Sequence, residues 1–199
     1  MIDCETRLKT YQNLLRDRLP EKRLLHCLSV ARQAMEIGVP LGLDSMALQT
    51  AGLLHDLCRA LDNETMLAQA RMFGIPIDSV SLQKPMLLHG PVAAAWCQRE
   101  LGINDAGVIE AIYWHTTGSP GMGRLAQVLY VADFCEPLRK YPEAAEAREV
   151  LRLEGFDAAL RYTARTKYEF ARKKEVSHPG TTAFWNWVQA GMPKVLESI

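Results

Sequence analysis

The feature that most constrains the fold is a helical spacing of apolar residues that recurs along nearly the whole chain. In the first such segment Leu8, Tyr11, Leu14 and Leu15 lie three or four residues apart, or adjacent, which is the pattern of one face of an amphipathic helix. The sequence lacks the valine and isoleucine alternation typical of strands, internal repeats and low-complexity tracts. It therefore predicts an all-α fold.

Proline, glycine and short polar residues predict where helices begin and end. Pro20 is acceptable at the first position of a helix, and Asp44 and Asp105 are good N-cap residues for two later ones. Gly74 begins a predicted loop that continues to Pro85. The predicted helices cover residues 5–19, 20–38, 45–56, 63–73, 91–101, 106–115, 125–134, 143–153 and 155–174, with a last short helix from 182.

The length of 199 residues fits one domain with a sizeable core. We predict a single domain over residues 1–199, with a catalytic core at about 15–140 and C-terminal helices at 141–199 packed on it. The 23 basic residues balance the 23 acidic ones, so no long-range field attracts nucleic acid or a membrane. A phosphorylated ligand would have to be bound by local cations.

The first residues and the cysteine usage predict a cytoplasmic protein. Charges within the first ten positions and the lack of an apolar segment there argue against a secretory signal, and no run approaches the length of a bilayer span. The five cysteines are odd in number, widely spread and without any Cys-x-x-Cys, which argues against a disulfide framework or a zinc ribbon. We expect them to be reduced, mainly as packing residues.

Residues 51–59 contain the clearest candidate for chemistry, because an apolar helical run there ends in His55 and Asp56. Consecutive side chains on a helix point about 100° apart, so such a pair converges on one metal ion only where the helix ends or turns. Alone the pair is weak evidence, since both residue types are common at helix ends and an aspartate there often caps its neighbour.

Other ligand-type side chains strengthen this candidate, because each lies on an apolar stripe or at the end of a separate predicted helix. They are His26, His55, His89, His115 and Asp133, with Asp56 beside His55. A buried histidine costs free energy unless it is hydrogen-bonded or ligated, and one metal centre accounts for all of them together. The carboxylate in the apolar helix, Asp133, likewise needs an arginine or a metal.

The donor types and their number predict the kind of centre. Imidazole and carboxylate without thiolate favour iron, manganese, zinc or cobalt. The ligand count indicates two ions. These would be held by His26, His55, Asp56 and Asp133 around one ion and by His89 and His115 on the other, with Asp56 able to bridge.

Two further segments are candidates for anion binding. His89 stands directly before a helix that Pro91 is expected to open, and a helix N-terminus favours anions. The polar, glycine-bearing loop 116–121 follows His115, and its backbone N–H groups would suit a phosphate, although most such loops are only connectors.

These residues carry a resemblance to a known superfamily. His26, then His55-Asp56, then the distant Asp133 resemble the H…HD…D signature of the HD phosphohydrolases, which are all-α, metal-dependent phosphatases and phosphodiesterases. More specifically, residues 15–190 resemble the YqeK-type symmetrical bis(5'-nucleosyl)-tetraphosphatases. The matching motifs are Arg23-x-x-His26, Ala51-Gly52-Leu53-Leu54-His55-Asp56, Pro85-x-Leu87-Leu88-His89-Gly90-Pro91, His115-Thr116-Thr117-Gly118, Ala132-Asp133-x-x-Glu136-Pro137-x-Arg139 and His178-Pro179-x-Thr181.

The resemblance implies an HD-domain helical bundle with a metal centre in its core, and symmetrical hydrolysis of diadenosine tetraphosphate (Ap4A) to two ADP at a di-iron site. The implied metal ligands are His26, His55, Asp56 and Asp133, with His89 and His115 completing the second site and contacting the nucleotide phosphates. Further nucleotide contacts would come from Arg59, Thr116, Arg139, His178, Pro179 and Thr181. The implied catalytic residues are Asp56, Arg59, His89 and His115.

The implied mechanism uses a metal-bridging water, as hydroxide, to attack an inner phosphorus. Arg59 and Arg139 would take up charge on the transition state and on the departing ADP. In a one-metal variant, His89 or His115 would be a general acid rather than a ligand. Arg59 departs from the family, which usually has lysine there, and this change is relevant to substrate preference and rate because arginine binds phosphate as a fork.

Several alternatives stay open at this point. They are another HD nucleotide phosphatase or phosphodiesterase, a nucleotide-binding regulator without turnover, an iron oxygenase on the same scaffold, and a helical interaction module with incidental histidines. The expected partner is a nucleotide, with no nucleic acid and no membrane. The oligomeric state is open, with a homodimer as one alternative.

Overall fold

The computed structural model describes residues 4–174 and 178–194, and their regular secondary structure is entirely helical, as predicted. Residues 1–3, 175–177 and 195–199, which the predicted domain span includes, lie outside the described residues. The helices are α1 (Cys4–Arg18), α2 (Glu21–Gly38), α3 (Ser45–Leu54), α4 (Asn63–Met72), α5 (Ser79–Gln83), α6 (His89–Leu101), α7 (Ala106–Trp114), α8 (Arg124–Cys135), α9 (Pro142–Glu154), α10 (Phe156–Lys173) and α11 (Pro179–Gln189).

Three predicted boundaries were wrong. The expected loop 74–85 contains α5, which begins because the Asp78 side chain accepts a hydrogen bond from the backbone N–H of Ser81. Helix α6 starts at His89 rather than at Pro91, because the 3-10 turn Pro85–Leu88 runs directly into it. The last helix starts at Pro179 rather than at residue 182, because the His178 side chain caps it.

Helices α2, α3, α7 and α8 pack against one another and form the centre of the fold. Two glycines allow the closest approaches. A Cβ on Gly52 of α3 would lie 2.5 Å from the Cα atom of Ala31 on α2, so α2 and α3 meet only because this side chain is absent. A Cβ on Gly90 of α6 would lie 2.9 Å from the carbonyl oxygen of Ile112, which brings the start of α6 against the end of α7.

The C-terminal helices pack on the outside of this centre. Helices α9 and α10 both contact α8, and α11 packs on α10. Phe184 of α11 reaches the Tyr130 ring of α8 with a centroid distance of 5.0 Å. The boundary expected near residue 140 stays a prediction.

All five cysteines are free, and four of them are buried, in line with their predicted role in packing. Burial raises the pKa of the Cys58 thiol to about 12, so this side chain stays protonated at neutral pH. No helix in residues 4–174 or 178–194 combines the length and the apolar character needed to cross a bilayer.

Candidate metal centre

The centre of the site is the end of α3. His55 is the C-cap residue of α3, and tight turns follow it, with the Leu57 N–H donating to the Leu54 carbonyl and the Arg59 N–H to the Asp56 carbonyl. Because the helix ends here, the neighbouring side chains of His55 and Asp56 converge on one region instead of diverging around a helix. Both are buried.

Two groups of donor atoms meet at the Asp56 carboxylate. The first donor group is His26, His55 and Asp56, and the second donor group is Asp56, His89 and His115. Oxygen Oδ2 of Asp56 lies 3.6 Å from His26 Nε2 and 3.5 Å from His55 Nε2. Oxygen Oδ1 lies 3.1 Å from His89 Nε2 and 3.8 Å from His115 Nε2. Each carboxylate oxygen therefore faces one donor group.

These separations suit two ligands of one ion. Two metal–ligand bonds of about 2.1 Å hold their donor atoms about 3.0 Å apart at a right angle and about 3.4 Å apart at the tetrahedral angle. The contacts of Asp56 with the four rings run from 3.1 to 3.8 Å. Each donor group thus has the dimensions of a cation site without any rearrangement of the backbone.

The Nδ1 atom of each histidine ring has a hydrogen-bond partner, and this contact bears on whether Nε2 carries a proton. Nδ1 of His55 donates to the Gly52 carbonyl at 2.8 Å and Nδ1 of His115 to the Ile112 carbonyl at 2.8 Å. His89 Nδ1 makes the same contact with the carbonyl of Met86, three residues before it. Since Nδ1 must carry the proton to donate, Nε2 presents a lone pair to the site.

His26 is held by a carboxylate instead of a carbonyl. Its Nδ1 lies 3.0 Å from Oε1 of Glu136, a side chain that is only 2% exposed. The Nε2 atoms of the four rings and the oxygens of Asp56 consequently face one another, with His55 Nε2 3.3 Å from His26 Nε2 and His89 Nε2 2.9 Å from His115 Nε2. Buried acceptors that face each other need a cation or additional protons between them, so the residues fit divalent metal ions.

The protonation states of His55, His115 and Asp56 suit metal binding. Burial lowers the pKa of His55 and lowers that of His115 well below its ordinary value, so both rings are neutral at neutral pH. Burial alone would raise the pKa of Asp56. The neighbouring His55 and His89 outweigh burial and hold the pKa of that carboxyl well below its usual range. Neutral imidazoles and an ionised carboxylate are the forms that bind metals.

Asp133 lies beside the first donor group, on α8. Its Oδ1 is 3.1 Å from His26 Nε2 and 3.8 Å from His55 Nε2, and it accepts a hydrogen bond of 2.9 Å from Nη2 of Arg139. Lys167 Nζ lies 3.8 Å from the other oxygen, Oδ2. Asp133 therefore has both of the partners that its position in an apolar helix requires, histidines of the donor set and cations.

Two arginines and a threonine hydroxyl lie around the two donor groups. Arg23 Nη1 donates to Oδ2 of Asp56 at 2.8 Å. The half-buried Arg59 has no hydrogen bond or ion pair for its guanidinium within the described part of the chain, and burial lowers its pKa. Thr116 Oγ1 lies 3.3 Å from His89 Nε2 and 3.1 Å from His115 Nε2. Arg59 is thus a charge free to meet an anion.

The predicted nucleoside segment, residues 178–181, has polar contacts of its own. His178 accepts a hydrogen bond from the Gly180 N–H at Nδ1, and its Nε2 lies 3.0 Å from Oδ2 of Asp78. In the described residues, His178, Pro179 and Thr181 form no hydrogen bond or ion pair with either donor group. Their contact with a nucleoside stays a prediction.

Sequence reasoning missed the roles of three residues. Arg23 and Glu136 stand in the motifs quoted above, but their contacts with Asp56 and His26 span 33 and 110 positions and cannot be inferred from spacing. Lys167 did leave a signal, because it continues the buried stripe of α10 formed by Phe156, Leu160 and Ala164. A lysine on an apolar stripe indicates an internal partner.

An all-α fold in which histidines and aspartates of several helices converge on one centre is typical of the HD class of metal-dependent phosphohydrolases. Residues 23–138 match the HD domain family, and the chain belongs to this family. This assignment confirms the predicted superfamily and the predicted fold.

The chain is also similar to individual proteins over most of its length. The chain is 32% identical to the symmetrical bis(5'-nucleosyl)-tetraphosphatase of Bacillus subtilis (strain 168), over 89% of this chain and 95% of that protein. It is 35% identical to the Staphylococcus aureus protein of the same name, over 72% of this chain and 74% of that one. A crystal structure of a predicted HD superfamily hydrolase involved in NAD metabolism from Clostridium acetobutylicum superposes with a TM-score of 0.86 at 27% identity, over 92% of this chain and 97% of that one.

Proposed function

We propose that this chain hydrolyses Ap4A symmetrically to two ADP at a centre of two divalent metal ions. The observation that carries the proposal is the shared carboxylate of Asp56, whose two oxygens face two separate histidine pairs. A carboxylate between two cations is typical of sites that hydrolyse phosphate esters and anhydrides. The substrate is inferred from the relatives in Bacillus subtilis and Staphylococcus aureus.

The donor types support an assignment of ligands. In this proposal His26, His55, Asp56 and Asp133 hold the first ion, and Asp56, His89 and His115 hold the second. Imidazole and carboxylate without thiolate suit iron, manganese, cobalt and zinc. Iron is our choice among them because the motifs resemble those of di-iron enzymes, and the identity of the metal is part of the test.

Divalent ions held by these residues would lower the pKa of a bound water molecule, so that it could attack at neutral pH, and would neutralise phosphoryl oxygens. The chain's own residues do the rest. Asp56 sets the two sites at one spacing, since both of its oxygens are engaged. The carbonyls and Glu136 that hold each Nδ1 prevent the rings from rotating, so the Nε2 lone pairs stay directed at the site.

Arg59, Arg139 and Thr116 are the proposed phosphate contacts. Arg59 is half-buried and unpaired within the described residues, so binding a phosphate requires no ion pair to break. Arg139 is oriented by two hydrogen bonds to Asp133, one from Nε to the backbone carbonyl at 3.2 Å and one from Nη2 to the carboxylate. These guanidiniums would stabilise charge on the transition state and on the departing ADP.

The reaction itself adds one water across the central anhydride of the tetraphosphate. Attack on an inner phosphorus breaks its bond to the oxygen that bridges to the other inner phosphorus, and each half leaves as ADP. Because ADP is a weak base, departure needs little assistance from a general acid, and His89 and His115 are therefore assigned as ligands. Residues 178–181 would lie near a nucleoside.

The test is an assay of anaerobically purified protein with Ap4A, with metal content determined on the same sample. We expect ADP as the only product and close to two irons per chain. Hydrolysis in ¹⁸O-labelled water should place the label on one ADP of each pair. Removal of the metal by a chelator should abolish turnover, and iron, manganese or cobalt should restore it.

Other outcomes would overturn parts of the proposal. AMP together with ATP would contradict symmetrical cleavage while leaving the metal centre in place. Intact Ap4A in the presence of bound metal would transfer the assignment to another nucleotide or to a regulator. Consumption of oxygen on addition of substrate would identify an oxygenase.

A further inference from the structure

Lys167 belongs to α10, outside the residues 23–138 that match the HD domain family. Its side chain is 18% exposed and extends from the buried stripe of α10 towards the donor groups. The four-carbon stem buries apolar surface, but placing its amino group away from water costs free energy unless acceptors surround it.

Three contacts surround that amino group. Nζ donates to the backbone carbonyl of His115 at 3.0 Å, lies 3.8 Å from Oδ2 of Asp133, and stands 3.8 Å from the centroid of the Tyr130 ring. A hydrogen bond, an opposite charge and the face of an aromatic ring are the three environments that stabilise a desolvated lysine. The side chain therefore has a defined position.

The two polar partners belong to different donor groups. His115 is the C-cap of α7, where backbone carbonyls lack partners within the helix, and Lys167 supplies one for its carbonyl. His115 is a member of the second donor group. Asp133 lies against the first, and its other oxygen, Oδ1, is already held by Arg139. Lys167 thus completes the contacts that hold the Asp133 carboxylate from both sides.

We propose that Lys167 is a positioning residue that holds His115 and Asp133 at a common spacing, and so couples the geometry of the two donor groups. The inference rests on the proposed two-metal function, because it assigns Lys167 to the metal centre. It also assigns a task to the C-terminal helices, since α10 would complete a site whose ligands all come from the preceding part of the chain.

A positioning role differs from phosphate binding in what it changes. The Lys167 amino group is already engaged by protein acceptors, so its loss should disturb the ligands more than the binding of substrate. Removal of an outer partner of metal ligands commonly costs about 10–100-fold in metal affinity or activity. A phosphate contact would raise KM and leave the metal centre unaltered.

The experiment compares wild type with Lys167→Met, which keeps the length of the side chain and removes its donor. Metal-free proteins are titrated with cobalt(II) under argon, and the affinity and the visible spectrum are recorded without any nucleotide. Lys167→Arg tests rescue by another donor, and Lys173→Met applies the same change to an exposed residue of the same helix. Thermal unfolding of the metal-free forms checks that each variant is folded.

We expect Lys167→Met to weaken cobalt binding about 10–100-fold and to change the spectrum, with partial rescue in Lys167→Arg and no change in Lys173→Met. If Lys167→Met does not fold, Lys167→Gln is measured in the same way with the same expectation. Wild-type affinity and spectrum in the folded variant overturn the proposal. Failure of wild type to hydrolyse Ap4A would refute the proposed substrate but leave this binding comparison intact.

Discussion

The two donor groups share Asp56, yet different kinds of contact hold them. In the second donor group, the rings of His89 and His115 are each held by the carbonyl three residues earlier in the chain. In the first, His55 is held in the same way by Gly52, but His26 is held by Glu136, 110 positions away. Arg23 adds a charged contact to Asp56, and Arg139 adds another to Asp133.

This difference indicates which donor group depends more on contacts between distant helices. A contact between residues three positions apart forms wherever a helical turn forms, so the orientations of the His89 and His115 rings are set within their own segments. The orientation of His26 instead requires α2 and the end of α8 to meet correctly. We therefore expect the first donor group to be the more sensitive to changes outside the ligands themselves.

The largest effect is expected for Asp56→Asn, which removes the feature that the groups share. Asparagine offers one oxygen in place of two, so only one donor group can keep its acceptor. We expect Ap4A hydrolysis to fall by about 10³-fold or more and bound metal to fall below two per chain. Asp17→Asn, an exposed change on α1, is the control. Full activity in Asp56→Asn would refute the shared carboxylate.

The substitution Glu136→Gln is expected to affect the first donor group and not the second. The amide oxygen of glutamine can still accept from Nδ1 of His26, but without the charge that strengthens the ring as a ligand. We expect the affinity of one metal ion to fall about 10–100-fold while the other binds as in wild type. Stepwise metal titration measures this, with Glu36→Gln as the exposed control. Equal weakening of both ions would contradict the assignment of Glu136 to the first donor group alone.

Arg59→Lys keeps the positive charge of the side chain and removes the planar guanidinium, which can donate two hydrogen bonds to one phosphate. Loss of one charge-assisted hydrogen bond to a phosphate, worth about 1 kcal/mol after solvent compensation, predicts a rise in KM of about 5-fold with kcat little changed. Steady-state kinetics with Ap4A measure it, and Arg32→Lys provides an exposed control. Loss of bound metal in Arg59→Lys would be inconsistent with a phosphate contact.

The smallest effect is expected for Asp78→Asn, which removes the carboxylate that lies 3.0 Å from His178 Nε2 while asparagine retains the ability to cap α5. Because Asp78 and His178 are partly exposed, we expect the free energy of unfolding to fall by under about 1 kcal/mol, which corresponds to a fall in Tm of about 2–4 °C at most. Burial would raise the pKa of Asp78, but the Ser81 N–H and His178 lower it. The stabilisation is therefore present at neutral pH and is lost as the pH falls below 3.8 through the folded pKa.

The matched control for this change is Asp62→Asn, since Asp62 caps α4 in the same way, with hydrogen bonds only to Thr65. Thermal unfolding at several pH values compares the two variants. A larger loss in Asp62→Asn than in Asp78→Asn at neutral pH would show that the contact with His178 contributes nothing beyond the cap.

Much of the fold was predictable because its signals are local. Helical spacing predicted the helices, and capping residues such as Asp44 and Asp105 marked two of their starts, where the side chains do accept backbone hydrogen bonds. The errors fell where a short element depends on its surroundings. Helix α5 has only five residues, too few for a periodic pattern to emerge.

The sequence by itself determined the helical class of this protein and the identity of its donor side chains, because periodicity and residue chemistry are written in short segments. Only the tertiary structure decided which oxygen of Asp56 faces which histidines, that Glu136 holds His26, and that Lys167 reaches both groups. The physical reason is that these contacts depend on how closely helices approach. At α2 and α3 that approach requires Gly52 to have no side chain.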